Sequence, residues 1–105
     1  MKHDHCKWTA TTTHGVDTVQ LTVKGICQEP TPGYKLSLQR VDLKGGAPNT
    51  LYLVLLVTAP TGIEPDVITP TPVEYKQTFV LPGQHVPKEV IILADEARIP
   101  VQPAP

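Results

Sequence analysis

At 105 residues the chain is sized for one domain with a single core. Its formal charge of −1, with lysine and arginine spread evenly, excludes the basic stripe that nucleic-acid binding requires. Its longest apolar run, residues 51–57, is far too short for a membrane-spanning helix. Twelve prolines and thirteen threonines against one serine, Ser37, favour strands joined by stiff turns over helices.

Met1-Lys2-His3-Asp4-His5 forms a polar leader without the apolar stretch of a secretory signal, so a cytoplasmic setting with reduced cysteines is expected. Residues 6–13 then alternate around Trp8, Ala10 and Thr12, and residues 18–27 around Val19, Leu21 and Val23. His14-Gly15-Val16-Asp17 has turn chemistry between them, which predicts a hairpin. In a register whose paired residue numbers sum to 33, Ala10 faces Val23, Trp8 faces Gly25 and Cys6 faces Cys27, all on one side. An indole opposite glycine gains the room that a missing side chain leaves.

Glu29-Pro30-Thr31-Pro32-Gly33 is a stiff, non-helical connection. A third strand follows from Tyr34, with Leu36 and Leu38 on one face and Lys35, Ser37 and Gln39 on the other. Lys44-Gly45-Gly46-Ala47-Pro48-Asn49 breaks the chain, and residues 50–58 form a fourth strand with apolar groups on both faces. Residues 59–72 read as a long connection with four prolines, holding at most a short extended piece at 66–69. The fifth strand is predicted over 73–81 and the sixth over 89–94, again apolar on both faces. Ile99 and Val101 suit a short edge strand that tolerates Pro100, and residues 102–105 form a proline-rich tail. Residues 1–105 therefore constitute a single all-β domain, a two-layer antiparallel β-sandwich of immunoglobulin-like type with six or seven strands.

Gly25-Ile26-Cys27-Gln28-Glu29-Pro30-Thr31-Pro32-Gly33-Tyr34 resembles the GxCxxPTxGY signature of a group of small uncharacterised bacterial proteins. The resemblance extends through Val57-Thr58-Ala59-Pro60-Thr61-Gly62, Asp66-Val67-Ile68-Thr69, Val73-Glu74-Tyr75 and Ile99-Pro100-Val101. It departs at residues 44–49, where that group tends to carry a Gln-Gly-Ile-Asn-Pro turn, and after Leu93, where Pro-Asp-Gly is commoner. No activity is assigned to the group, so the resemblance implies a strand order and no chemistry.

Few residues have the placement that catalysis needs. Ser37 lies mid-strand on a polar face with no nucleophile-elbow glycines, which sets serine hydrolysis aside. Cys6 and Cys27 read as a structural cross-strand pair, bridged or reduced; a redox pair or reactive thiol is the competing reading. The amine of Met1, two amide nitrogens and the His3 imidazole match the square-planar geometry of Cu(II) or Ni(II), with His5 and Cys6 near enough to add ligands; an unordered polar leader is the plainer reading. The acidic residues are scattered and fix no carboxylate pair across a cleft.

The two-faced strands carry the functional expectation. One side of a sandwich strand packs inward and the other should be polar. Tyr52, Val54 and Leu56, with either Val90 and Ile92 or Ile91 and Leu93, put apolar groups where water should be. Either residues 59–72 fold over them or another chain covers them. The chain is thus expected to be a non-catalytic interaction or structural module with no cofactor, a homo-oligomer or the partner of another protein. The alternatives are a small Cu(II)- or Ni(II)-binding protein and, further off, a protease inhibitor presenting a proline-rich loop.

Overall fold

A computed structural model describes residues 6–93 and 95–104. The eight strands are β1 (Cys6–His14), β2 (Thr18–Glu29), β3 (Lys35–Arg40), β4 (Thr50–Thr58), β5 (Thr69–Val80), β6 (Glu89–Leu93), β7 (Ala97–Pro100) and β8 (Gln102–Pro103). They form two four-stranded sheets, β5-β2-β1-β8 and β3-β4-β6-β7, with no helix among the described residues. The molecule is a β-sandwich, as its alternation requires.

The first hairpin has the expected register throughout: Cys6 pairs with Cys27, Trp8 with Gly25 and Ala10 with Val23. Its turn is closed by the Gly15 N–H donating to the Thr18 carbonyl at 2.9 Å, with Asp17 in the left-handed region at φ 57°. Aspartate is among the few non-glycine residues that accept that conformation at low cost.

The structure corrects the expected architecture in two places. Both sheets are mixed, because β4 runs parallel to β6 and β8 parallel to β1. β1, β2 and β5 keep the neighbour order of an immunoglobulin sheet, whereas the parallel β4–β6 pair differs from one. The fifth strand begins at Thr69, four residues before the expected start, and pairs along its whole length with β2. Pro70 and Pro72 fit inside it because β5 is an edge strand. Spaced by two, they share one side, where a missing N–H takes nothing from the ladder. The C-terminal tail is also partly paired: Val101 carries the chain from one layer to the other, and the Ala104 N–H donates to the Thr12 carbonyl at 2.8 Å.

The core lies between the inward rows of the two sheets. Leu21, Val23, Leu53, Val90 and Ile92 are fully buried, with Ala10, Leu38, Leu51, Val73, Phe79 and Ile99 around them. Each such aliphatic side chain contributes about 1.5–3 kcal/mol on burial. Trp8, Leu36, Leu55 and Tyr75 close the rim of this cluster. The Tyr75 hydroxyl donates to Gln77 Oε1 at 2.6 Å, and burial pushes its phenol above the ordinary range, partly offset by the charge of Arg40.

Candidate functional site

Val90 and Ile92 face the core, so Ile91 and Leu93 are the outward pair of β6. Register sets Tyr52 beside Ile91 and Val54 beside Leu93, and on the other flank Val54 beside Gln39 and Leu56 beside Ser37. A strip of Leu56, Val54, Leu93 and Ile91 therefore crosses the outer face of the two central strands. Leu56 is 44 % exposed; the other three are half-buried, each screened by its cross-strand neighbours. At one flank of the strip, Ile91, Leu93, Glu96 and Arg98 line a shallow hollow of about 260 Å³. The Arg98 guanidinium donates to Glu89 Oε1 at 2.6 Å and gives the strip a charged border.

Tyr52 differs from its neighbours on that face. Its ring lies against Gly46, where an added Cβ would sit 2.9 Å from the ring, and its hydroxyl accepts from the Ala47 N–H at 3.0 Å. It ties the β3–β4 connection to the outer face of β4.

Residues 59–68 do not cover the strip. They are braced at the end of the sandwich against the β2–β3 connection, where the Thr31 hydroxyl donates to the Pro65 carbonyl at 2.7 Å. Gly33 sits at φ 95°, and a Cβ there would meet Pro60 at 2.9 Å and Glu64 at 3.4 Å. The Pro30-Thr31-Pro32-Gly33 segment thus forms the seat for a second proline-rich loop. That loop presents a fully exposed Ile63, with Val67 and Ile68 also open to solvent. Replacing Gly33 with valine combines a disfavoured backbone conformation with a clash and is expected to cost about 1–3 kcal/mol. Limited proteolysis should then cut within residues 59–68 faster than in the parent chain.

One surface feature escaped the sequence reading. On the outer face of β5-β2-β1-β8, Lys7, Thr9, Lys24, Ile26, Pro72 and Glu74 line an open hollow of about 660 Å³. The available signal was Ile26, which interrupts an otherwise polar row between Lys24 and Gln28, but only the pairing of Ile26 with Pro72 shows that two apolar groups meet there.

The remaining candidates resolve plainly. Cys6 and Cys27 are joined by a disulfide, and Cys27 is fully buried, so neither is a free thiol. Ser37 faces solvent on β3. Met1, His3 and His5, the proposed metal ligands, lie outside the described residues, as does the leader they belong to. Among the described residues no three His, Cys, Asp or Glu side chains are grouped as a metal site. The His85 ring is bonded to the Asn49 side chain, which joins the two loops that lead into β4 and β6. No helix of the described residues is long and apolar enough to cross a membrane.

No family model, no curated protein and no solved structure matches this chain.

Proposed function

We propose that the chain is a non-catalytic interaction module that self-associates through the outer face of β3-β4-β6-β7. The carrying observation is the Leu56–Val54–Leu93–Ile91 strip, apolar groups on adjacent central strands with a charged border at Arg98 and Glu89. The sheet edges support a face-to-face mode. An open edge invites strand addition, and natural proteins block it with proline. β5 carries Pro70 and Pro72, β7 ends at Pro100 and β8 contains Pro103, so three of the four edges resist that kind of pairing. β3 is the fourth, and it lies against β5 across the gap between the layers.

The Cys6–Cys27 bridge also bears on setting. Disulfides persist where thiols are not kept reduced, so the bonded pair argues for oxidising surroundings over the cytoplasmic ones expected from the sequence.

Light scattering after size exclusion tests the reading. Wild-type protein is expected at a multiple of one chain mass, and Val54→Lys is expected to lower that mass by placing a charge in the strip. Because Val54 is outside the core, the variant should keep its stability to within about 0.5 kcal/mol. A wild-type mass of one chain at high concentration, or an unchanged mass in the variant, would count against it.

A further inference from the structure

The braced loop and the outer hollow lie at the same end of the molecule. β2 ends at Glu29 opposite Thr69, so residues 59–68 enter β5 only a few positions before Pro72, which pairs with Ile26 in the hollow. Their chemistry is complementary. The loop carries Ile63, Val67 and Ile68, all exposed, together with Glu64 and Asp66 and no cation. Neither acid pairs with a cation among the described residues.

The hollow offers apolar Ile26 and Pro72 under a lysine border. Lys24 and Lys76 share one carboxylate, Glu74, at 3.8 and 3.5 Å, and Lys7 meets no carboxylate among the described residues. Lys7 and Lys24 line the hollow with Glu74 as its one carboxylate, which leaves a net positive charge opposite in sign to the two acids of the loop. A volume of about 660 Å³ is ample for an isoleucine and its aliphatic neighbours. The loop cannot fill its own hollow while Thr31 and Gly33 hold it, and Ile63 is fully exposed in that position.

We propose that the 59–68 loop of one copy docks in the Lys7–Ile26–Lys24–Pro72 hollow of a second copy. Because donor and acceptor share one end of the molecule, each copy supplies both, and a two-fold axis closes the contact as a dimer. Bracing the loop beforehand removes ordering cost from docking, which gives the seat at Thr31 and Gly33 a purpose. This contact is separate from the strip on the opposite sheet and does not depend on it.

Analytical ultracentrifugation in a Val54→Lys background isolates it. That protein is expected as a dimer whose affinity falls with added salt, since the exposed charges are screened. Lys7→Glu/Lys24→Glu and Glu64→Lys/Asp66→Lys should each weaken the dimer about tenfold or more, and all four substitutions together should restore it. Ile63→Ser, which leaves every charge in place, should weaken it as well. Circular dichroism melts confirm that each variant is folded. The proposal is overturned by a single-chain mass for Val54→Lys at every concentration, by reversals that leave the dimer intact, or by failure of the fourfold exchange to restore it. Binding of an apolar dye in the hollow of a chain that never associates assigns it to a small ligand instead, and also overturns the proposal.

Discussion

Gly25→Val is expected to destabilise the domain by about 2–3 kcal/mol, the upper range for forcing atoms into a packed site. A Cβ at position 25 would lie 2.3 Å from Cζ3 and 2.4 Å from Cε3 of Trp8, well inside contact distance. The clash is with the body of the indole, not with a flexible tip, so the ring has to leave its place over β2. Trp8 closes one end of the core, and its displacement exposes apolar surface as well as adding strain. The compensating change is on the partner: in a Gly25→Val background, Trp8→Val turns the clash into a β-branched cross-strand pair of the kind sheets favour. Urea melts of the two single variants and the double should show the double more stable than the sum of the singles by about 1 kcal/mol or more. Strict additivity would mean that the indole does not rest on Gly25.

Removing the Cys6–Cys27 bridge should cost about 3 kcal/mol. The two cysteines are 21 residues apart, so the bond closes a loop that includes the whole first hairpin, and its loss returns that loop's freedom to the unfolded chain. For a domain of this length the loss lowers the melting temperature by roughly 10–20 °C. Cys6→Ala/Cys27→Ala is the suitable variant, because serine at position 27 would place a hydroxyl at a fully buried site. Reductant should shift the wild-type midpoint toward that of the double variant and leave the variant itself unmoved. An unshifted wild-type melt in reductant would mean that the bond does not hold the hairpin.

Both outcomes concern the part of the fold most legible in the chain. Trp8, Ala10, Leu21 and Val23 alternate about one turn, and a single register satisfies the glycine, the tryptophan and both cysteines together. The start of β5 was less legible. Pro70 and Pro72 read as loop residues until β5 is known to be an edge, where their missing donors take nothing from the ladder. The same limit applied to Tyr52. Its alternation places it on the outer face, but its bond to Ala47 depends on how the β3–β4 connection folds back. The brace from Thr31 to Pro65 spans 34 residues, and no local pattern announces it.

What the sequence determined alone is therefore local: which residues form strands, which side of each strand is apolar, and the register of strands joined by a short turn. A period of two and the reach of a tight turn suffice for that. The tertiary structure decided which distant strands became neighbours, including the parallel β4–β6 and β1–β8 pairs, and which outward apolar groups stayed open. Alternation names a face without naming its occupant. The choice among neighbours rests on packing both layers at once over connections whose closure cost changes only slowly with length.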